Sequence, residues 1–412
     1  MRVLTSALPR RGRAAFFCLG QGGPAGAGDG SRPLGGIRRR WLLWTLLVLL
    51  LPLVTLPLPA QIPKWKFIVV GDTRGTDSNN QINSVILAEL AQAIAQQKPS
   101  FVLVPGDLVD AGTPAAFQAW TNLMAPVYRA GIGVYPVLGN HDLTSIPGWT
   151  NVFGATLPNN GPVGEIDRTY FFTFANALVL NLDNYVNAGR VNQSWINAVL
   201  ATNSRPHVFV QGHMPAFKAN HTDCLDDYPA ARNAFWNSLS NANCRIYFSG
   251  HDHFYDHTRI DDGDGDPEWD IHQMIVGSGG APLVSTYAYD GLNSPFTPQA
   301  VYHEQQYGYV LVEVDGFAVK TTWYHRTGVA SYAATSEVFA YTVKSTVPLL
   351  SFAYNNQSLT LAWTAGAVLQ SSPSPKGPFT NAKLSPSPLV VTNFSPPALF
   401  YRVVAIKGTP SQ

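Results

Sequence analysis

Phe101-Val102-Leu103-Val104 is an apolar, β-branched run that gives way at Pro105 to Gly106-Asp107-Leu108-Val109-Asp110, so a predicted strand ends on two carboxylates. The same design recurs in both directions along the chain. Phe67-Ile68-Val69-Val70 leads into Gly71-Asp72-Thr73-Arg74, and Val134-Tyr135-Pro136-Val137-Leu138 into Gly139-Asn140-His141-Asp142. Further on, His207-Val208-Phe209-Val210 precedes Gly212-His213, and Cys244-Arg245-Ile246-Tyr247-Phe248 precedes Gly250-His251-Asp252-His253. Aspartate, asparagine and histidine are hard or borderline ligands suited to Mn, Zn or Fe. In stacked α/β sheets the ligand crevice lies beyond the strand ends, so the five sets are placed to converge.

Helical periodicity falls between these strands. It predicts helices near Ile82–Gln97, Pro114–Ala130, Asn192–Ala201 and Ala230–Ser240, with an antiparallel pair at Thr169–Phe174 and Ala177–Leu182. Strands follow at Gln273–Val276, Tyr307–Val314 and Val319–Tyr324. Alternating β-α-β followed by a mixed second half predicts an α/β fold of two packed mixed β-sheets flanked by helices. Beyond Lys344 the texture changes. Residues 345–350 read as a linker, and short strands at Leu359–Trp363, Val368–Gln370, Leu389–Val391 and Phe400–Ile406 alternate with Pro/Ser/Asn turns, predicting a small β-sandwich over 351–412. The expected boundaries are thus 1–60, 61–344, 345–350 and 351–412.

The N-terminal 60 residues predict export. Arg38-Arg39-Arg40 precedes an apolar stretch, Trp41 to Pro59, that ends at Leu58-Pro59-Ala60 before Gln61, the layout of a cleaved signal peptide. Pro52, Pro57 and Pro59 oppose an uninterrupted spanning helix, so cleavage is expected rather than anchoring. The destination is periplasmic, cell-surface or extracellular, with no stable membrane insertion after cleavage. Eight of the 27 basic residues and one of the 26 acidic residues lie in this segment, so the remainder is net −6. A net-acidic chain without a basic stripe is a poor nucleic-acid binder. Cleavage leaves Cys224 and Cys244, and in an oxidising compartment a disulfide between them is expected.

In order and composition the five sets resemble the motif series of the calcineurin-like metallophosphoesterase superfamily, which includes the purple acid phosphatases. The resemblance runs from about Asp72 to His253 and continues into Ile275-Val276-Gly277-Ser278-Gly279-Gly280-Ala281-Pro282. It implies a metal-dependent phosphoesterase acting on phosphomonoesters or phosphodiesters, with a small phosphorylated substrate attacked by a hydroxide held between two metal ions. By motif position Asp107 would bridge, Asp72 and His253 would hold the first ion, and Asn140, His213 and His251 the second. His141 would contact phosphate or protonate the leaving group, with Asp142 orienting it. The C-terminal stretch is similar to fibronectin-like β modules appended to some exported bacterial enzymes.

One position departs from the series. Where the family commonly places histidine, this chain has Arg74, which is always charged and offers a metal no lone pair. Purple acid phosphatases supply a tyrosine instead, but here that slot is Asp110, so no tyrosinate chromophore is expected. Asp110 could enter the ligand set, or the first ion could keep water, or its site could be weak; the last two together are the expectation. Arg74 is a candidate clamp for phosphate, with a salt bridge to Asp110 or Asp72 as its structural alternative. His207, His221, His257, His272, His303 and His325 match no motif and read as surface or loop histidines. Asp261-Asp262-Gly263-Asp264-Gly265-Asp266 reads as a solvated turn, with weak Ca²⁺ binding as the alternative. The absence of a Gly-x-Ser-x-Gly elbow, P-loop or dinucleotide fingerprint leaves serine hydrolysis, kinases and NAD enzymes without support. The rival to an enzyme is a secreted binding protein on a degenerate metallophosphoesterase fold.

Overall fold

Each strand of the central layers alternates its side chains between two different apolar surroundings, and this alternation builds the molecule. The computed structural model describes residues 64–343 continuously. Outside that range it describes Arg2–Val3, Phe17–Cys18 and parts of 350–405. Six strands form one sheet: β1 (Trp65–Val69), β2 (Phe101–Val104), β3 (Gly133–Pro136), β11 (Gly308–Asp315), β12 (Ala318–Gly328) and β13 (Ser331–Thr342), in the order β13-β12-β11-β1-β2-β3. The second sheet has seven: β4 (Tyr170–Phe174), β5 (Ala177–Asn181), β6 (His207–Gln211), β7 (Ile246–Ser249), β8 (Tyr255–Asp261), β9 (Ile271–Val276) and β10 (Thr297–Glu304), in the order β10-β8-β9-β7-β6-β5-β4. Strands β1, β2 and β3 are parallel, as are β5, β6, β7 and β9, while the outer strands pair antiparallel. Both sheets are therefore mixed, as the alternation predicted.

Trp65, Phe67 and Val69 of β1 point between the sheets, where Phe67 stacks on Phe101 at 4.9 Å and meets Phe209 edge-on at 4.9 Å. Ile68 and Val70 point the other way, under α1 (Ser84–Gln97), α2 (Pro114–Leu123) and α4 (Ile146–Phe153). On the second sheet Leu178, Leu180, Val208 and Val210 pack with Ile196 of α5 (Gln193–Thr202) and Phe235, Trp236 and Leu239 of α6 (Pro229–Asn241). Helices thus cover the outer face of both sheets. Asn83, Thr113 and Asn192 cap α1, α2 and α5 by accepting from backbone N–H groups, as such residues do at helix starts. The single helix expected over 114–130 is two, because Pro126 lacks an N–H and α3 (Ala125–Arg129) restarts after Met124.

Three strands of the two large sheets escape sequence patterning: β8, β10 and β13. Strand β8 is polar yet largely buried, because its polar groups find partners across the layers. His257 Nδ1 donates to Glu337 Oε1 of β13 at 2.6 Å, and its Nε2 meets His272 Nδ1 at 2.6 Å. His207, His257 and His272 are therefore buried in the sheets and not surface or loop residues as expected. Strands β10 and β13 are edge strands with almost no buried residues, so neither carries a strong hydrophobic alternation.

The chain divides into two compact units, 62–346 and a second of 1–61 with 347–412. Among the described residues the C-terminal stretch contains two three-stranded antiparallel sheets. Leu350–Asn355, Ser358–Trp363 and Leu389–Val391 form one; Thr380–Asn381, Ala367–Ser372 and Phe400–Ala405 form the other. Leu350, expected in the linker, opens a strand, while 345–349 lie outside the described residues. So does the apolar stretch Trp41–Pro59. No helix among the described residues is long and apolar enough to cross a membrane.

The expected disulfide is absent. Cys224 and Cys244 are both buried and free, the Cys244 thiol donates to Ile246 O at 3.3 Å, and burial pushes both thiols up to about 12. Spacing along the chain placed them in one loop closure, but each is buried as a thiol instead. In the native protein neither should react with a thiol reagent near neutral pH, and both should react after denaturation without reductant. A native chain whose thiols appear only after denaturation with reductant would contradict this. Phe67→Ala should cost about 3–5 kcal/mol in urea unfolding by emptying the layer between the sheets. The exposed Val85→Ala should stay within about 0.5 kcal/mol.

Candidate metal centre

The carboxyl ends of β1, β2, β3, β6 and β7 all deliver a ligand-type side chain within a few residues, and these side chains meet. Asp72, Asp107 and His251 follow their strands in the left-handed region, at φ 55°, 51° and 73°. Such a conformation is costly for a residue with a Cβ, by about 1–3 kcal/mol each, and it clusters at functional sites. Glycines make room between them. Gly106 sits at φ 85°, and a Cβ there would lie 2.4 Å from His213 Nδ1. A Cβ on Gly139 would lie 2.1 Å from Asp107 Oδ1, and one on Gly250 2.1 Å from Asp72 Oδ2.

The histidines are oriented from outside. His213 Nδ1 donates to Pro105 O at 2.8 Å, His251 Nε2 to Asp223 Oδ1 at 3.1 Å, and His253 Nδ1 to Pro282 O at 3.0 Å. An oxygen acceptor on one ring nitrogen fixes the tautomer and leaves the other nitrogen with its lone pair. Those inner nitrogens face other electron-pair donors. Asn140 Oδ1 lies 3.1 Å from both His213 Nε2 and His251 Nδ1, which are 3.2 Å from each other. Asp107 Oδ1 lies 3.5 Å from His213 Nε2. Donors about 2.0–2.2 Å from one ion stand about 3 Å apart, so this group fits a transition-metal ion. Without a cation the same lone pairs repel. Burial first, and for His253 also the Arg74 charge, pushes His213 and His253 down to about 4, keeping both imidazoles neutral as ligands must be.

A second grouping adjoins the first. Asp72, Asp107 and His213 bring ligand atoms within 4.8 Å of one another, and His253 Nε2 lies 3.7 Å from Asp72 Oδ1. Asp72 is fully buried, accepts from His251 N at 3.0 and 3.1 Å, and has its pKa raised well above the carboxylate range by burial and then by Asp107. Asp107 moves the other way. Burial would raise it, but His213, His141 and His251 together outweigh that and lower it. Two buried carboxylates side by side call for positive charge between them.

Arg74, His141 and Asp142 also reach this region, with roles that differ from expectation. Arg74 Nε lies 3.5 Å from Asp107 Oδ2 and its Nη1 3.3 Å from Asp110 Oδ1. The salt-bridge alternative to a phosphate clamp is thus the one observed, although the partner beside Asp110 is Asp107 and not Asp72. His141 donates its backbone N–H to Asp107 Oδ1 at 3.0 Å, and its side chain is partly exposed. Asp142 does not orient that ring. Its buried carboxylate accepts from Leu108 N, Val109 N and Gly139 N, tying the loop after β2 to the loop after β3. The orienting partner is Asp110, whose carbonyl takes His141 Nδ1 at 2.7 Å and whose carboxylate lies 3.5 Å away. The short 3₁₀ helix His141–Ser145 directs successive side chains to different faces, which separates the neighbours in sequence.

Sequence reading missed four residues here. His221 was read as an ordinary loop residue. Its ring lies 4.3 Å from that of His251, and its Nδ1 donates to Asp252 Oδ1 at 2.6 Å, a bond that raises its pKa. Asp252 is buried and holds the backbone of Asn220 and His221 as well. Asp223 orients His251, and Tyr185 places its ring 6.2 Å from His213 with its hydroxyl buried and unpartnered. Asp252 lies inside the last strand-end motif but carried no assigned role there, and no spacing signal marks the other three. The exposed Asp262 and Asp264 with buried Asp270 form a separate acidic group, in which Asp270 is already paired with Arg259.

Residues 66–255 match the family model for calcineurin-like phosphoesterases, a stretch that begins in β1 and includes every candidate ligand. Among solved structures, the purple acid phosphatase PPD1 from yellow lupin (Lupinus luteus) seeds aligns with a TM-score of 0.53 at 15% identity, over 69% of this chain and 55% of its own. The chain therefore spans about half the length of that phosphatase, and at this identity the likeness speaks for the fold. GAP50 of Plasmodium (TM-score 0.45, 18% identity, 68% of this chain and 89% of its own) and PhoD (0.46, 13%, 70% and 71%) align more loosely. No curated protein matches the chain. Motif order, two mixed sheets under helices and the family match agree: over residues 66–255 this chain matches the calcineurin-like phosphoesterases.

Proposed function

We propose that this protein is an exported, metal-dependent phosphoesterase that hydrolyses phosphomonoesters or phosphodiesters of small molecules. The observation that carries the reading is the convergence of Asn140 Oδ1, His213 Nε2 and His251 Nδ1 within 3.1–3.2 Å, each imidazole turned inward by an outer oxygen acceptor. Asn140, His213, His251 and Asp107 would hold one ion, and Asp72, His253 and Asp107 a second position. Mn, Zn and Fe all suit these donors. Bound metal would supply the charge that lowers the pKa of water and offsets negative charge developing on phosphoryl oxygens.

The chain's own groups do the remaining work. Asp110 holds His141 through Nδ1, leaving Nε2 to hold a proton for the departing alkoxide. Asp252 does the same for His221, whose side chain is 38% exposed. Asp142 keeps the two ligand-bearing loops at a fixed separation through backbone hydrogen bonds. Asp72 and Asp107 are already buried and held by backbone N–H groups where a cation would sit, so their oxygens are preorganised for it.

The test is hydrolysis of nitrophenyl mono- and diester phosphates by residues 61–412 loaded with Mn, Zn or Fe. Turnover is expected, and Asp107→Asn should abolish it. A folded, metal-loaded chain without turnover on either ester would favour the binding-protein alternative. His141→Asn should discriminate by leaving group. It should slow an alkyl phosphate by about 10²–10⁴-fold and a nitrophenyl phosphate far less, since nitrophenolate departs without a proton. Equal losses on both would remove His141 from the acid role.

A further inference from the structure

Asp107 turns its two oxygens to unlike neighbours. Oδ1 accepts from His141 N at 3.0 Å and lies 3.5 Å from His213 Nε2, on the side of Asn140 and His251. Oδ2 faces Arg74 Nε at 3.5 Å. The same guanidinium reaches Asp110 Oδ1 at 3.3 Å and donates through Nη1 to Gly75 O at 2.9 Å. Its side chain is only 13% exposed, and Nε is buried without a hydrogen-bond partner. A guanidinium stays charged at any pH the protein meets. Arg74 therefore stands as a permanent cation on the Asp107 oxygen that points away from Asn140, His213 and His251.

Resting on the metal-centre reading above, we propose that the centre retains a single tightly bound metal ion, at Asn140, His213, His251 and Asp107, with Arg74 as its second cation. The position at Asp72 and His253 keeps its geometry but exchanges its ion freely. Two effects act in the same direction there. Arginine donates no lone pair, and its charge repels a divalent ion a few ångströms away in a site where burial weakens screening. The Asn140 position lies on the other side of Asp107 and has three uncharged donors of its own.

The test is metal retention by the full chain, loaded with Mn²⁺ and passed through a desalting column, with metal and protein quantified. About one ion per chain is expected, with the electron paramagnetic resonance spectrum of isolated Mn²⁺. Arg74→His restores a donor and removes the charge, so it should retain about two ions with a spin-coupled spectrum. Arg74→Leu removes the charge without offering a donor and should tighten the weaker position at least tenfold in a titration. Two ions retained by the unaltered chain, or an unchanged weaker position in both variants, would overturn the proposal while leaving the metal centre standing. A folded chain that retains no Mn, Zn or Fe overturns the metal-centre reading and this proposal together.

Discussion

Two buried carboxylates, Asp72 and Asp107, at the ends of adjacent parallel strands are the constraint around which the rest is arranged. Phe67 and Phe101 pair in register, so the loops that follow start level and bring like charges together in a region of low polarity. The protein holds them there by left-handed backbone at both residues, by glycines that leave room for their oxygens, and by N–H donors from His141 and His251. That arrangement is relieved by a proton on Asp72 or by positive charge beside the pair, and the groups facing them are lone-pair donors and one arginine.

The two sheets contribute different chemistry. Asp72, Asp107 and Asn140 follow strands of the six-stranded sheet and bring oxygens. His213, His251 and His253 follow strands of the seven-stranded sheet and bring imidazole nitrogens. Neither sheet alone holds a mixed donor set. The aromatic layer of Phe67, Phe101, Phe209 and Phe248 fixes the separation of the sheets, and so fixes whether the oxygens and nitrogens meet. Close packing of large rings resists sliding, which is what a site with donors 3.1–3.2 Å apart requires of its scaffold.

Outer hydrogen bonds decide which end of each imidazole faces inward. The acceptors are two proline carbonyls and the Asp223 carboxylate, drawn from loops that follow other strands. Arg74 fits the same logic with the opposite sign. It is seated by Asp107, Asp110 and Gly75 O, so its charge is a fixed part of the centre rather than a free side chain at its rim.

The sequence by itself determined the strand-ending motifs, their order, the α/β layering and the six candidate ligands, because period-2 apolar runs and Gly-bounded polar tips are local patterns. Arg74's inability to bind metal was equally legible, being a property of the side chain. Only the tertiary structure decided which neighbour does what. Asp142 follows His141 directly yet serves backbone N–H groups, while Asp110, from another strand end, holds the ring. His221 stands beside His251 from 30 residues away in the chain, and Cys224 and Cys244 are buried as thiols despite their suggestive spacing. His257 and His272 look like surface residues in the chain but are buried on two paired strands, each ring against the other. In each case the deciding contact joins elements distant in sequence, and no local pattern encodes the direction a side chain takes once sheets pack.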